Sequence, residues 1–567
     1  MHANQEDTVV VSSLDIARAH QPIPIETVAE RAGLLAEEIE PYGRDKAKIS
    51  PAVLDRLRDA PDAKLVCVTS ITPTAAGEGN TTTAVGLTQG LGALGHRAVA
   101  CLREASVGPV FGFKGGAAGG GHAQVVPMED LNLHFTGDIH AIGAANNLLA
   151  AILDASILHG NPHGIDALRI PWRRAVDMND RALRRVVVGR GGRANGYPRE
   201  TGFDITAASE VMGLVGVARS LADLRRRLGQ ITAAYSFEQR PVTAEDLGAA
   251  GAMTVLLKDA LKPNLVQTLE GQPAIVHCGP FGNIDHGNSS LIADLIALKL
   301  GDYVVTECGF GSDMGLEKFC DIVCRLGGLR PGAVVLVVTT RAIKHHGGLS
   351  GRSTDSAAGA RGAIESGMAN VGRHLQIAAT FGIRCVVAVN RFAADRDADV
   401  ELIKHLCLEA GAFAAETNDA FAHGGPGATA LASAVIAACR EPRPFTVLYP
   451  DDAPIHDKIA AVARQVYGAT DLFLYPEAER KIAQFTDDGL GRLPVCIAKT
   501  HLSLSADPAL LNAPQRFTLP VRDIRAYTGA GWLVPLCGEV SQMPGLGPTP
   551  AATRIDVGAD GQTVGLF

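Results

Sequence analysis

An α/β fold, with a mostly parallel sheet covered by helices on both faces and smaller α/β parts beside it, is predicted by three observations. Short, near-continuous Val/Ile-rich runs recur along the chain, as strands buried on both faces require. Helical patterns separate those runs. The apolar content comes mainly from Ala, Val, Leu and Ile, with aromatics at 5% and 63 glycines, a balance that suits α/β layers and not a β-sandwich. At 567 residues the chain exceeds what one core supports, so several domains are expected.

Taken in order, residues 13 to 60 read as polar-faced helices. Ser13 and Asp15 are candidate N-caps, and LLAEEIE and AVLDRLRDA carry apolar residues at three- and four-residue spacing. The first buried strand is KLVCVTSI (64 to 71). After a glycine-containing turn, TTTAVGLTQGLGALG reads as a helix ending near Gly95, and RAVACLRE (97 to 104) supplies the second strand. Strand, loop, helix, strand is the arrangement in which a helix N-terminus meets a phosphate. Further buried strands are expected at PAIVHCG (273 to 279), DYVVTECGF (302 to 310), AVVLVVTT (333 to 340) and RCVVAVN (384 to 390). Between about 160 and 250, RIPWRRAVDMNDRALRR and SLADLRRRLGQI break the strand rhythm and read as a helical insertion with its arginines on a solvated face. The Pro-rich EPRPFTVLYPDDAP (441 to 454) marks a boundary. The expected division is therefore 1–370 for the loop domain with its insertion, 371–450 for a second α/β domain and 451–567 for a C-terminal one.

Several function classes are disfavoured. A net charge of -8 without long Lys/Arg runs gives no face to neutralise a polyanion, so nucleic acid is not an expected partner. The 11 cysteines are scattered without CxxC pairs, and Cys320 and Cys324 share a face if their segment is helical; buried, reduced thiols are expected. The start MHANQEDTVV lacks a signal-peptide pattern and no apolar stretch approaches the roughly 20 residues that span a bilayer, so no membrane partner and a cytoplasmic location are expected. His286, His345 and His346 lack metal-ligand spacing and read as polar-pocket or surface histidines.

The turn itself, TPTAAGEGNTTT (72 to 83), aligns with the phosphate-loop pattern GxxxxGK(S/T) from Thr74 to Thr81, with Gly77, Glu78 and Gly79 inside it. Two of the four defining positions depart: Thr74 stands for the first glycine and Asn80 for the lysine. Such loops work through backbone N–H groups on phosphate oxygens, a lysine ammonium on the outer phosphates and a hydroxyl on Mg²⁺. The glycines and Thr81 keep the backbone cradle and the metal-side hydroxyl. Asn80 brings no cation, a loss of several kcal/mol wherever charge on a transferring phosphoryl group must be stabilised. The expected sheet is thus P-loop NTPase-like.

With the loop, CLREASVGPVFGFKGGAAGGGHAQVVPMEDLNLHFTGDIHAI (101 to 142), WRRAVDMNDRALR, GFDITAASEVM, LLKDALKPNLVQTLEG and LPVCIAKT together make a long signature. By it the chain closely resembles formate–tetrahydrofolate ligases, also called formyltetrahydrofolate synthetases, from about residue 14 to the terminal GLF. The resemblance implies a cytoplasmic homotetramer that joins formate to tetrahydrofolate with ATP through formyl phosphate, giving 10-formyltetrahydrofolate, ADP and phosphate. It also implies Mg²⁺ with the nucleotide and a monovalent cation, potassium or ammonium. Activation by phosphate makes chemical sense, since a carboxylate is unreactive to an amine until one oxygen becomes a leaving group.

Carried over by position, the resemblance implies that Thr74, Gly77, Glu78, Gly79, Asn80, Thr81 and Thr82 surround the ATP phosphates, with Asn80 where the family has lysine. Arg103 matches the arginine that holds formyl phosphate, a role that the guanidinium fork suits. Asp138 matches an acidic residue near the reacting centre, and a helix-cap role is the alternative. Lys114, in the glycine-rich FKGGAAGGG, is a candidate replacement cation. Phe392 matches an aromatic stacked on the pterin, and Phe421 falls where the family has tryptophan, so 371–450 is expected to contribute to the folate pocket. Ala105, where the family has proline, and the leucines of KTHLSLSADP (499 to 508) are further departures. Two other functions stay open beside the ligase: a non-ligating folate or nucleotide binder, and a diverged acyltransferase using a preformed acyl phosphate or another acyl group.

Overall fold

The structure is a computed structural model that describes residues 12–112, 117–349 and 357–566. Twelve strands form its main sheet: β1 (Ile39–Pro41), β2 (Ala47–Ile49), β3 (Lys64–Ser70), β4 (Ala98–Leu102), β5 (Gly119–Gly120), β6 (Ala123–Val126), β7 (Asn264–Thr268), β8 (Pro273–Val276), β9 (Tyr303–Gly311), β10 (Pro331–Thr339), β11 (Cys385–Asn390) and β12 (Ala414–Asn418). Their order is β1-β2-β7-β8-β4-β9-β3-β10-β11-β12, with β6 beside β7 and β5 beside β6. From β8 to β12 every neighbouring pair is parallel. The pairs at the β1 end are antiparallel.

The parallel part is buried on both faces, and the period of two decides which side chain goes where. Leu65, Cys67, Val99, Cys101, Val334, Leu336 and Val338 join one core. Their neighbours Val66, Val68, Ala98, Ala100, Leu102, Val335 and Val337 join the other. Helix α1 (Asn80–Ala93) covers the second face through Ala84, Val85, Leu87 and Leu91.

Several expectations need correction. The N-cap of helix Ser13–Ala19 is Ser12, which accepts from the Asp15 N–H, and Asp15 closes the capping box. LLAEEIE is no helix: a single tight turn at Ala36–Glu38 leads into β1, because Glu38 turns back to the Leu35 N–H and to Arg56. Three helices, Glu210–Val217, Leu221–Gly229 and Ala250–Leu257, do lie in the insertion, but short strand pairs accompany them, including Val186–Val188 with Arg199–Thr201 and Thr232–Tyr235 with Pro241–Thr243. The boundary expected at 370 runs through helix Ala357–Thr380, and β11 and β12 beyond it continue the main sheet. One helix, α2 (Asp138–Leu158), is long and apolar enough to cross a membrane by length and composition, where none was expected. Its face of Ile142, Ala145, Leu149 and Leu153 packs in a core that the insertion shares with the C-terminal section, and Asp154 on it pairs with Arg174 and Arg199. All 11 cysteines are buried and free of disulfides.

Candidate functional site

The loop leaves β3 at the carboxyl edge of the sheet, between β9 and β10, where chain connections depart in opposite directions. Its first residue past the strand is clamped. The Thr72 N–H donates to His374 Nε2 at 2.8 Å, which leaves Nδ1 to donate to Ser312 Oγ at 2.7 Å. On the other side Asn512 N–H donates to His346 Nδ1, so His346 Nε2 donates to the Thr72 carbonyl at 2.8 Å. Burial lowers the pKa of His374 to about 4 and also lowers that of His346. His346 is thus a polar-pocket histidine.

Past the clamp the chain turns through left-handed backbone at Gly77 (φ 74°) and Gly79 (φ 84°), and Gly79 caps α1 without a side-chain bond. The positive φ favours glycine at Gly79, and a Cβ there would also crowd Asn390 Nδ2 at 3.0 Å. Asn390, the last residue of β11, donates to the Glu78 carbonyl at 2.9 Å and accepts from Thr83 and from Asn418 of β12. The ends of β11 and β12 therefore shape the loop. Glu78 is buried and accepts from the Thr74 N–H and hydroxyl and from the Thr339 hydroxyl. Thr82 is half-buried on the first turn of α1.

Two of the candidate groups, Thr81 and Arg103, converge on one carboxylate that the sequence reading missed. Glu307, on β9 opposite Val68 of β3, is 1% exposed. Its Oε2 accepts the Thr81 hydroxyl at 2.7 Å, and its Oε1 accepts the Arg103 N–H at 3.1 Å and Nε at 3.0 Å. Thr81 and Arg103 thus share one anion. An acidic residue near the end of an otherwise apolar strand, TEC within DYVVTECGF, was the available signal. Asn80 turns inward: its Nδ2 donates to the Phe310 carbonyl at 3.0 Å, and its buried Oδ1 has no hydrogen-bond partner among the described residues. Phe310 itself has φ of 64°, a left-handed value rare for a bulky residue.

Asp138 is held elsewhere. Its carboxylate pairs with buried Lys48 at 2.8 Å and accepts from Asn264 Nδ2 at 2.8 Å, and no hydrogen bond among the described residues joins it to the loop or to Arg103. It opens α2 after Gly137, as a first-turn acid and not as the cap. Lys114 lies outside the described residues. Phe392 is 46% exposed and Phe421 is 56% exposed, just past the ends of the paired strands β11 and β12. Phe421 lies against Gly120 and its carbonyl accepts the His122 N–H. Phe392 is faced by Arg341, whose guanidinium carbon is 5.4 Å from the ring centre and whose Nη2 donates to the Gly77 carbonyl at 2.7 Å. The structure therefore brings Gly77 to Thr81, Arg103 and Phe392 to one edge of the sheet, while Asp138 is taken up by Lys48 and Asn264.

No group of three or more His, Cys, Asp or Glu among the described residues is arranged to hold a metal ion. The Thr81 hydroxyl and the Glu307 carboxylate, in hydrogen-bond contact, nevertheless form the hard oxygen pair that suits Mg²⁺ carried by a nucleotide. A separate cavity of about 530 Å³, lined by Trp172, Arg173, Asp204, Glu210, Lys481 and Arg525 among others, shares no residue with this edge.

Comparison with known proteins agrees over the whole length. The family model for formate–tetrahydrofolate ligase matches residues 11–567. The chain is 55% identical over 564 residues to the formate–tetrahydrofolate ligase of Desulforamulus reducens, covering 98% of this chain and 100% of that one. It is 54% identical over 561 residues to the Roseiflexus castenholzii protein of that name and 53% over 556 residues to that of Paracoccus denitrificans, each over 98% of this chain and 100% of the relative.

Proposed function

The chain belongs to the formate–tetrahydrofolate ligase family and is an enzyme, and from that premise we propose that it ligates formate to tetrahydrofolate in two steps through formyl phosphate. A formate oxygen attacks the γ-phosphorus, the bond to the β,γ-bridging oxygen breaks and ADP leaves with that electron pair. The N10 amine of tetrahydrofolate then attacks the formyl carbon. The bond from carbon to the phosphate oxygen breaks, phosphate departs and the amine proton is lost, leaving 10-formyltetrahydrofolate.

The backbone N–H groups from Glu78 to Thr82 bind the nucleotide phosphates, aided by the positive end of α1, while Gly77 closes the turn onto the Thr74 carbonyl and Thr74 and Glu78 brace the loop. Thr81 and Glu307 would hold Mg²⁺ carried by the nucleotide, which would supply charge to offset the phosphates. Arg103 is aimed by Glu307 and offers its two terminal nitrogens to the acyl phosphate; neither makes a hydrogen bond among the described residues. Phe392 and Phe421 grip the pterin. Asp138, through Lys48, supports the segment behind Arg103. A homotetramer and a need for potassium or ammonium belong to the same reading, as does a cytoplasmic location. Support comes chiefly from one observation: a single buried carboxylate accepts from both the loop hydroxyl and the acyl-phosphate arginine, so both steps can share one pocket.

A second reading, altered or absent phosphoryl transfer with binding retained, is favoured by Asn80 alone, whose amide is spent on a backbone carbonyl. One experiment separates them: follow 10-formyltetrahydrofolate from formate, ATP and tetrahydrofolate, and separately from synthetic formyl phosphate and tetrahydrofolate without nucleotide. Product in both supports the two-step route. Product only from formyl phosphate points to lost phosphoryl transfer, and silence in both overturns the mechanism.

A further inference from the structure

We propose that Arg341 supplies the positive charge that Asn80 does not, reaching the terminal phosphate of the nucleotide from the β10 side of the loop. The proposal deepens the reading above and rests on it for the presence of a nucleotide there.

The need is set by the loop pattern, in which the residue before Thr81 is ordinarily a cation acting on the outer phosphates. Here that residue is an amide whose donor is engaged with the Phe310 carbonyl, so it has no charge to offer. Among the described residues two guanidiniums touch the loop's surroundings. Arg103 approaches on the β9 side and is tied to Glu307. Arg341 approaches on the opposite side.

Topology fixes the second approach. β10 is the parallel neighbour of β3, with Val337 paired to Ser70, so the chain that leaves β3 into the loop runs beside the chain that leaves β10 into helix α3 (Thr340–His346). Arg341 is on the first turn of α3, two residues past the end of the strand. Its side chain is 47% exposed and spans from the loop to the aromatic platform. Nη2 is on the Gly77 carbonyl and 3.9 Å from buried Glu78, while the guanidinium faces Phe392. Nε and Nη1 make no hydrogen bond among the described residues. The first turn of a helix is also where peptide dipoles favour a cation least, so the placement is not a helix-stabilising one.

Arg341→Gln, Arg341→Lys, Asn80→Lys and the double variant Asn80→Lys/Arg341→Gln test this, with folding checked by thermal melting. Calorimetry with Mg²⁺ and either ADP or β,γ-imido-ATP reads the contact without requiring turnover. Arg341→Gln is expected to weaken the imido analogue at least about tenfold and ADP less than about threefold, and to lower kcat roughly 10²- to 10³-fold, the usual loss on removing one donor from a transition-state anion. Asn80→Lys is expected to restore at least about tenfold in the Arg341→Gln background and to have a clearly smaller effect in the parent, because two cations serving one phosphate are not additive. Equal weakening of ADP and the imido analogue would make Arg341 a pin for the Gly77 carbonyl and overturn the proposal. So would an Asn80→Lys effect of the same size in both backgrounds, or a rise in the KM for tetrahydrofolate with nucleotide binding intact. Should Arg341→Gln not fold, Arg341→Lys with the two nucleotides decides: a preserved preference for the imido analogue supports the proposal and a lost one refutes it. A parent without ligase activity would count against the function above, whereas the calorimetric difference would still test Arg341.

Discussion

Single residues around this site carry charge that is matched or left for a ligand, and Asp138 shows how the difference can be measured. Its pairing with Lys48 is 3% and 1% exposed on the two sides, with Asn264 completing the set. Two ions taken from water into such a place are stable only together, and removing one partner typically costs about 3–5 kcal/mol. Lys48→Met is therefore expected to destabilise strongly by leaving Asp138 uncompensated, and Lys48→Met/Asp138→Leu to regain much of the loss. Ligase activity then reads the role: recovery along with stability makes Asp138 a positioning residue, whereas activity that stays lost in a stable double variant makes it part of the chemistry. Chemical denaturation and turnover on the same three proteins, the parent and the two variants, provide the comparison. Arg103 is different in kind, because within its guanidinium only Nε makes a hydrogen bond among the described residues.

At the scale of elements, the loop works only as well as β3 delivers it, and delivery depends on two histidines that the sequence offered no reason to pair. His374 and His346 are on separate helices and meet at Thr72. His374 accepts the Thr72 N–H on Nε2, so a proton there would set one N–H against another. A folded pKa of about 4 against 6.5 means that its contribution is present above pH 6.5 and lost as pH falls toward 4, on the order of 3 kcal/mol for a fully buried ring. His374→Gln, which keeps an acceptor for Thr72, is expected to flatten that acid limb and to hold the KM for ATP near the parent's; His374→Ala is expected to raise it. Melting curves at pH 5 and 7.5 with ATP kinetics check this, and an unchanged acid limb in His374→Gln would contradict it. Elements written in local period were legible: β3, α1, β4, β9, β10 and β11 fall where apolar runs and a glycine stop put them. The turn at Ala36–Glu38 was not, because its cause is Arg56, 18 residues on. At the candidate site, Gly77, Thr81, Arg103 and Phe392 could be singled out from motifs, while Glu307 and Arg341 were hidden because each reaches its neighbours across a strand pairing that no local pattern records.

The whole molecule is latched by contacts of the same non-local kind. The insertion and the C-terminal section lie far apart in sequence yet share a core, in which Val211, Leu214 and Leu228 pack with Tyr527, Trp532 and Val534. Glu210 crosses that junction. By sequence it is an ordinary first-turn acid after the Ser209 cap, but it is buried, and its Oε1 accepts the N–H groups of Gly529 and Ala530 at 2.7 and 3.3 Å. Burial, reinforced by the nearby Asp285 carboxylate, raises its pKa from 4.5 to about 8 against the lowering by those two N–H groups. A folded-state pKa above the unfolded one binds extra proton in the native state, so the contribution is complete below pH 4.5 and disappears as pH rises through about 8. The junction should loosen on the alkaline side. Glu210→Gln preserves the acceptor and removes the ionisation, so its melting temperature relative to the parent is expected to rise steadily from pH 5.5 to 8.5. A gap that stays constant over that range would mean that Glu210 is already ionised in the folded protein. In that case some other group must account for any alkaline loss of stability.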